Sequence, residues 1–358
     1  MDQGITIALD AMGGDLAPAS VIEGAARALK RYHDLHFLLF GDEAQIHPLL
    51  DLHPIVREHC EVIHTEDVVA ADAKPSVALR QGGKSSMRMA IDAVKEGKAH
   101  GVISAGNTGA LMAMSKIVLR TLPNINRPAI ASAMPSLKNP IVMLDLGANI
   151  DCDARTLCQF AVMGNAYARS VLNIASPSIG LLNVGEEEIK GHEELKTAYQ
   201  ALKEAQNLNF HGFIEGTDIA LGTADVVVTD GFTGNVTLKT IEGTANFITT
   251  ALKRAFKRAL LGKLGYLLAA PALAPFKQKM DPRRYNGGVF LGLNGITVKS
   301  HGNADGEAFA YAIAATHELI SNDVNGKIIE ELENAHLEAK LAKEEASQNT
   351  PEQEAEAG

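Results

Sequence analysis

Short runs of aliphatic residues alternate with helix-length segments along most of the chain, and this alternation constrains the fold more than any other sequence feature. Strands that alternate with helices are typical of parallel βαβ units. The runs IVML at 141–144 and DVVV at 225–228 offer apolar side chains to both faces, as strands covered by helices on both sides do. We therefore predict a three-layer α/β/α fold with a mostly parallel sheet. The predicted strand and helix pairs are Ile5–Leu9 with Pro18–Arg31, Leu35–Phe40 with Asp42–Leu52, Val102–Ser104 with Gly109–Leu119, Ile141–Leu144 with Arg155–Leu172, Ser178–Leu182 with Gly191–Ala205, and Val226–Thr229 with Gly234–Phe256.

Length and charge limit the classes of function. At about 150 residues per domain, 358 residues correspond to two structural units. We predict one domain over 1–328 with two intertwined halves, and a partly disordered acidic tail over 329–358. The formal net charge is −10, and residues 330–358 contribute −7 of it, with nine Glu and two Lys. This acidic balance argues against nucleic acid as the main partner, because phosphate contacts need clustered cations.

Cysteine usage and the first residues predict a cytoplasmic location. The three cysteines form no CxxC pair, which is typical of a reduced chain without disulfides or zinc. The start MDQGITIALD has neither the basic region nor the long apolar region of a signal peptide. The histidines show no HExxH spacing, and no dinucleotide fingerprint is present, so we expect no metal and no cofactor.

Two segments of the chain resemble each other at a constant offset of 125 residues. ISAGNTGALMAMSKIV begins at Ile103 and VTDGFTGNVTLKTIEG begins at Val228, so that Gly106, Thr108 and Gly109 match Gly231, Thr233 and Gly234. One interpretation is chance similarity between two glycine-rich turns. The other is a duplicated half, with two similar loops facing each other across a cleft.

Three glycine-rich loops between a strand and a helix have the composition of an anion-binding site. They are DAMGGD at 10–15, SAGNTG at 104–109 and TDGFTGN at 229–235. The first N–H groups of a helix are unpaired and lie at its positive end, so such a loop holds phosphate well. A single loop of this kind is more often a plain turn, but three of them favour phosphate binding. The candidate residues in the loops are Asp10, Gly13, Gly14, Ser104, Asn107, Thr108, Gly109, Asp230, Thr233 and Asn235.

A helix start at KSSMR adds two cations. Lys84 and Arg88 are four residues apart and share a helix face, and Ser85 or Ser86 caps the helix. One interpretation is a capped surface helix with two solvated cations. The other is an electrostatic clamp on an anionic substrate, since cations at a helix start oppose the dipole unless an anion lies between them.

Two further segments contain candidate donors. NVGEEEIKGHEEL holds Lys190 and His192, which belong either to a solvated helix start or to the active site. VKSHGNADGEA places Lys299 and His301 just after a strand, and His301 is either structural or substrate-binding.

Residues 251–284 carry nine Lys or Arg and one Asp in an otherwise acidic chain. On a helix, Leu252 and Phe256 fall on one face and the cations on the other, so the stretch is amphipathic. It is predicted either to steer an acidic protein, to lie on an anionic membrane, or to form a buried dimer interface. The candidate contact residues are Lys253, Arg254, Lys257, Arg258 and Lys263.

A series of motifs resembles the signature of the acyl-ACP:phosphate acyltransferase family, PlsX, in order over residues 5 to about 320. The motifs are LDAMGGD (9–15), KSSMR (84–88), SAGNTGA (104–110), DLGAN (145–149), LLNVGEE with KG (181–191), EGTD (215–218), TDGFTGN (229–235) and LNGITVKSHG (293–302). At position 213 the chain has Phe where the family often has Asn, so we expect no polar contact with substrate there. TDGFTGN is also similar to a loop of phosphate acetyltransferases, which share the fold.

The resemblance implies transfer of a fatty acyl group from acyl carrier protein to inorganic phosphate, giving acyl phosphate for phospholipid synthesis. It also implies an isocitrate dehydrogenase-like fold with two pseudo-dyad halves, a homodimer, peripheral contact with an anionic membrane, and delivery to a membrane glycerol-3-phosphate acyltransferase. We assign catalysis to Asn107, Asp230, Thr233 and Asn235. Substrate binding is assigned to Asp10, Gly13, Gly14, Lys84, Ser85, Arg88, Ser104, Thr108, Gly109, Lys190 and His301.

Three alternatives remain open from the residues. A short-chain phosphotransacylase would use an acyl-CoA donor, a dehydrogenase of the same fold would need nicotinamide and usually a metal, and a membrane-bound scaffold would leave the loops idle.

Overall fold

The computed structural model describes residues 4–205, 207–258 and 260–335 of the chain. The first half contains four strands and six helices. The strands are β1 (Ile5–Asp10), β2 (Leu35–Gly41), β3 (Cys60–His64) and β4 (Gly101–Ser104). The helices are α1 (Ala19–Leu29), α2 (Glu43–Leu52), α3 (Pro54–Arg57), α4 (Pro75–Gln81), α5 (Ser86–Lys95) and α6 (Thr108–Leu119).

The second half repeats the alternation after a connecting strand, β5 (Ala129–Met134). Its strands are β6 (Ile141–Leu144), β7 (Ser178–Leu182), β8 (Asn209–Ile214) and β9 (Val226–Val228). Its helices are α7 (Ala154–Val171), α8 (Glu193–Lys203), α9 (Gly216–Leu221) and α10 (Gly231–Lys257). The described chain ends with α11 (Leu260–Lys279), a 3₁₀ turn (Pro282–Tyr285), β10 (Gly288–Leu291), β11 (Ile296–Lys299), α12 (Gly306–Ser321) and α13 (Val324–Ala335).

All eleven strands of the described residues form one sheet, in the order β3-β2-β1-β4-β11-β10-β5-β6-β9-β7-β8. β1, β2, β3, β4 and β11 are mutually parallel, and so are β6, β7, β8 and β9. β10 is antiparallel to β11 and β5, and β5 is antiparallel to β6. The two parallel groups therefore run in opposite directions, and the antiparallel strands join them in the middle.

Alternate side chains of the strands enter different cores, which confirms the predicted three-layer arrangement. Ile7 and Leu9 of β1 lie in the core beneath α1, α7, α12 and α13, whereas Ala8 lies in the core beneath α5 and α6. In the second half, Val226 of β9 enters the first core, and Val227 enters a third core beside α9 and α10. These strands are buried on both faces, as the doubly apolar runs indicated.

Helix α10 leaves the body of the protein after its first turns. Gly231 and Gly234 are its only buried residues among those described, although the helix is 27 residues long. The following α11 packs against it, and we call residues 231–279 the helical hairpin. The basic segment occupies the outer part of this hairpin. Among the described residues, no helix combines the length and apolarity that a membrane span requires.

Candidate functional site

Asp10 anchors the first glycine-rich loop from a buried position at the end of β1. Its two carboxylate oxygens accept hydrogen bonds of 2.6 Å from the hydroxyls of Ser86 and Ser104. Ser104 in turn accepts from the N–H of Gly106 at 3.0 Å. Burial raises the pKa of Asp10, and the serine hydroxyls oppose that rise. Asp10 thus ties the loops that follow β1 and β4 to the start of α5.

The glycines of these loops permit a close approach that a side chain would block. A Cβ on Gly13 would lie 2.5 Å from Oδ2 of Asp10 and 2.8 Å from the N–H nitrogen of Gly106. Gly14 has φ +105°, in the left-handed region that favours glycine. The two residues therefore bring the 10–15 loop against the 104–109 loop.

Asp145 takes the corresponding place in the second half, at the end of β6. Its Oδ1 accepts from the N–H groups of Ile130, Gly147 and Ala148 at 2.9, 3.2 and 3.1 Å. Its Oδ2 accepts from the N–H and the side-chain amide of Asn149 at 2.7 and 2.9 Å. Burial raises the pKa of Asp145, and these donors oppose the rise.

In each half, a strand ending in a buried aspartate is hydrogen-bonded to the strand that carries one of the two similar loops. β1 pairs with β4, and β6 pairs with β9. The order of these strands differs between the halves, however. β4, the last strand of the first half, lies nearest the centre of the sheet, whereas in the second half the first strand, β6, lies nearest the centre. Asp145 begins the DLGAN motif but received no role from the sequence, although the dipeptide Leu-Asp at the end of both β1 and β6 is a signal for one.

Two of the predicted catalytic residues serve as helix caps. Asn107 accepts from the N–H of Ala110 at the start of α6, and its amide donates to the carbonyls of Ala71 and Ala73 at 2.8 and 2.9 Å. Asp230 accepts from both the N–H and the hydroxyl of Thr233 at 2.8 Å. These contacts shape the starts of α6 and α10.

A cavity of about 320 Å³ lies between the two similar loops. Thr108 of the first loop and Asn235 of the second both line it. The amide of Asn235 donates to the carbonyl of Leu146 at 3.0 Å, which holds the second loop against the 145–149 turn. The structure thus brings together two loops that are more than 120 residues apart in the chain.

One part of the cavity is cationic and the rest is largely apolar. The cationic part contains Lys239 and Lys299, together with the imidazole of His301 and the carboxylate of Glu242. Residues with apolar side chains form most of the remaining wall: Ile130, Ala133, Met134, Pro135, Leu146, Leu238, Ile241, Ala245, Met280 and Pro282. A pocket of this kind suits a molecule with an anionic group and a hydrocarbon group.

Lys299, at the end of β11, is the most strongly perturbed cation of the cavity. Its Nζ donates to the carbonyl of Ala105 in the 104–109 loop at 3.3 Å and also to the carbonyl of Ser300. Burial lowers the pKa of Lys299 to about 8, and Asp10 and Asp15 oppose this shift. A bound anion would stabilise the charged form, because it would replace the lost hydration.

His301 lies beside Lys299 in the same wall. Burial lowers its pKa, and the nearby carboxylate of Glu242, 4.0 Å from Nε2, opposes the shift. Lys239 donates to Glu242 at 2.8 Å. Lys299 was named from sequence only in a segment of candidate donors, without a role. Lys239 was not named, although it follows Asn235 by four residues and therefore shares its helix face.

The predicted cation clamp does not reach this cavity. Arg88 pairs with Asp92 on its own helix at 3.0 Å, and Lys84 is exposed; neither lines the cavity. Ser85 caps α5 as expected, whereas Ser86 binds Asp10 instead. The prediction that Lys84 and Arg88 share a helix face is wrong, because Lys84 lies in the turn before the N-cap Ser85 and only Arg88 is on α5.

Other predicted residues are placed as follows. Lys190 pairs with Glu187 at 3.1 Å in a surface loop and does not line the cavity. Gly109 packs against Pro75. Phe213 is buried against Tyr199, with ring centroids 4.7 Å apart, in keeping with a position that has no polar contact with substrate.

The five cations assigned to partner contact lie on the helical hairpin. Lys253, Arg254, Lys257 and Arg258 are exposed at the end of α10 and just beyond it, and Lys263 is exposed on α11. Exposed leucines accompany them on α11, with Leu261 at 81% and Leu268 at 75% exposure. The hairpin therefore presents cations and apolar side chains to its surroundings.

Comparisons with known proteins agree on one family. The model of a family described as fatty acid synthesis protein matches residues 5–327. The phosphate acyltransferase of Rhodospirillum centenum is 56% identical over 353 residues, which are 98% of this chain and 98% of the relative. The phosphate acyltransferase of Paramagnetospirillum magneticum is 53% identical over 93% of this chain and 95% of the relative. A solved phosphotransacetylase from Streptococcus pyogenes, 18% identical, matches with a TM-score of 0.61 over 90% of this chain and 95% of its own, a likeness of fold alone.

Proposed function

The chain belongs to the fatty acid synthesis protein family, and the relatives described above are phosphate acyltransferases. We propose that it transfers a fatty acyl group from acyl carrier protein to inorganic phosphate. The chain is thus an acyltransferase, and the dehydrogenase and scaffold hypotheses no longer apply. The proposed product is an acyl phosphate for phospholipid synthesis.

The observation that carries this proposal is the mixed character of the cavity. Thr108, Asn235, Lys299 and His301 provide a hydroxyl, an amide, an ammonium and an imidazole group, while Leu238 and its neighbours provide the apolar wall. Phosphate and the thioester carbonyl fit the polar part, and the acyl chain fits the apolar part. The helix starts at α6 and α10 add N–H groups at their positive ends.

The enzyme has to position phosphate against the thioester carbonyl, and it needs to transfer few protons. An oxygen of phosphate attacks the thioester carbonyl carbon, a C–O bond forms, the C–S bond breaks, and the thiolate leaves. Phosphate is already nucleophilic near neutral pH and the thiolate is a good leaving group. Holding the two reactants together can lower the barrier by about 7–11 kcal/mol.

We assign the charge stabilisation to residues that line the cavity. The Lys299 ammonium faces the phosphate, and Thr108 and Asn235 donate to phosphate or to the oxyanion of the tetrahedral intermediate. A well-placed donor is worth about 3 kcal/mol in such a site. Asp230 and Thr233 position the loop that carries Asn235. Lys84 and Arg88 stay predictions as counter-charges to the phosphate, and Lys190 stays a prediction as a substrate-binding residue.

We further propose that the helical hairpin lies on an anionic membrane surface. Its cations attract anionic headgroups and its exposed leucines enter the interface, a combination typical of helices that lie on a bilayer. The same cations attract acidic acyl carrier protein. A cytoplasmic homodimer that associates peripherally with the membrane is consistent with this surface, and it would deliver acyl phosphate to a membrane glycerol-3-phosphate acyltransferase.

A product assay tests the activity. Purified protein is incubated with inorganic phosphate and either palmitoyl-ACP or palmitoyl-CoA, and acyl phosphate is trapped with hydroxylamine. We expect hydroxamate from the carrier-protein substrate and little from the CoA thioester. Product from CoA thioesters alone would assign the chain to the phosphotransacylases that act on acyl-CoA, and no product from either donor would refute the proposal.

A further inference from the structure

A second cavity of about 400 Å³ lies inside the helical hairpin, next to the cavity of the candidate site. It is lined by Thr249, Leu252 and Phe256 of α10, by Tyr266, Leu273 and Phe276 of α11, and by residues of the following turn. Met280 and Pro282 line both cavities, so the two spaces adjoin.

One face of α10 runs along both cavities. Leu238, Ile241 and Ala245 line the first cavity, and Thr249, Leu252 and Phe256 line the second. The spacings of three or four residues keep all six on one side of the helix. We call this row the α10 seam.

The length of the α10 seam matches its proposed occupant. From Leu238 to Phe256 the helix rises about 27 Å at 1.5 Å per residue. A bilayer core about 30 Å thick holds two fatty acyl chains end to end, so one chain needs about 15 Å. The seam is therefore long enough for a complete long acyl chain.

The far end of the seam is closed by an aromatic pair. The rings of Phe256 and Tyr266 meet edge to face, with centroids 5.4 Å apart. The ammonium of Lys277 donates to the Tyr266 hydroxyl. Hydrocarbon that follows the seam from the cationic part of the first cavity would stop at this pair.

We propose that the α10 seam binds the fatty acyl chain of the substrate, and that its length sets the preference for chain length. The thioester carbonyl lies near Lys299, and the chain passes Met280 and Pro282 into the hairpin. This inference rests on the proposed acyl transfer. Burial of each methylene is expected to raise kcat/KM for the acyl donor by up to about fourfold, until the chain reaches the aromatic pair.

Substitution at the middle of the seam tests the inference. Thr249→Trp should lower the ratio of kcat/KM for palmitoyl-ACP to that for octanoyl-ACP at least tenfold, since the indole blocks the path of the longer chain. The matched control is Phe247→Trp, a 72% exposed position on the opposite face of the same helix, which should leave the ratio within twofold. An active Thr249→Trp enzyme with an unchanged ratio would overturn the inference and leave the acyl transfer intact.

A binding measurement decides the matter if Thr249→Trp loses activity on both donors. The chain contains no Trp, so Phe256→Trp and Phe247→Trp each introduce a single tryptophan, whose fluorescence can be excited apart from that of the six tyrosines. Brominated stearoyl-ACP, added without phosphate so that it is not consumed, should quench the fluorescence of Phe256→Trp and not that of Phe247→Trp. Equal quenching of both, or of neither, would refute the inference. A wild-type protein that forms acyl phosphate from no donor would refute the proposed function and this inference with it.

Discussion

Replacement of Asp145 by Asn should destabilise the protein strongly while changing its shape little. The five hydrogen bonds that reach the carboxylate all come from N–H donors, three on Oδ1 and two on Oδ2. An amide keeps one acceptor and turns the other oxygen into a donor. The side chain would keep the three bonds on Oδ1 and place its NH₂ against the two donors of Asn149.

The magnitude follows from the donors that lose their acceptor. Each buried unsatisfied donor costs about 1–3 kcal/mol, so the two donors of Asn149 cost about 2–6 kcal/mol together. A typical domain has about 5–15 kcal/mol of stability, so this is a large fraction of the total. The free energy of unfolding, measured by urea denaturation, should fall by that amount.

Asp153→Asn is the matched control for this substitution. Asp153 caps α7 from an exposed position, and it accepts from the N–H of Thr156 at 2.8 Å and from the hydroxyl of the same residue, both of which an amide oxygen also accepts. Asn caps helices about as well as Asp, so the control should change stability by less than about 0.5 kcal/mol. If Asp145→Asn and Asp153→Asn unfold at the same urea concentration, the buried carboxylate does not organise the 145–149 turn as argued.

Four further predictions concern the candidate site and the hairpin. Lys299→Met should lower kcat/KM for phosphate roughly 10²- to 10³-fold. Wild-type kcat/KM should also fall as the pH rises through about 8, because Lys299 is protonated below that value and neutral above it; a pH profile in which Lys299→Arg falls at the same pH would contradict this. Asn235→Ala should lower kcat/KM for phosphate more than tenfold and Lys84→Ala less, as phosphate-dependent kinetics will show; if both leave it unchanged, the loop assignment is wrong. Reversal of Lys257 and Arg258 to Glu should weaken sedimentation with anionic vesicles at low salt by a factor of ten or more, at about 1 kcal/mol per cation. Neutral vesicles are the control: equal wild-type binding to both kinds would refute the role of the cations, and binding to neither would refute the membrane contact.

The strands that the alternation predicted are those that helices cover on both faces. Val102–Ser104, Ile141–Leu144 and Ser178–Leu182 are present with bounds within a residue of the prediction. The antiparallel strands in the middle of the sheet were not predicted, because their sequence pattern is weak. β5, for example, has the sequence AIASAM, in which small residues replace the branched side chains typical of strands. Short local patterns therefore predict the layers of this fold but not how its halves join.

The loops of the site could be predicted from sequence, but which of the candidate cations reach the cavity could not. SAGNTG and TDGFTGN can be recognised from sequence alone, because glycines and capping residues between a strand and a helix indicate a loop that leads into a helix start. Lys299 reaches the first loop because β11 pairs with β4, two strands that are almost 200 residues apart in the chain. From sequence, Lys84 and Arg88 are as suitable for binding an anion as Lys239 and Lys299. Only the three-dimensional fold shows that the second pair lines the cavity.

Helix α10 connects every part of the proposed mechanism. It begins at the TDGFTGN loop, contributes Asn235 and Lys239 to the candidate site, and ends among the exposed cations of the helical hairpin. An acyl chain held along this helix would have its reactive end in the polar cavity and its methyl end near the proposed membrane contact. The same element that positions the phosphate could therefore direct the hydrophobic product toward the membrane.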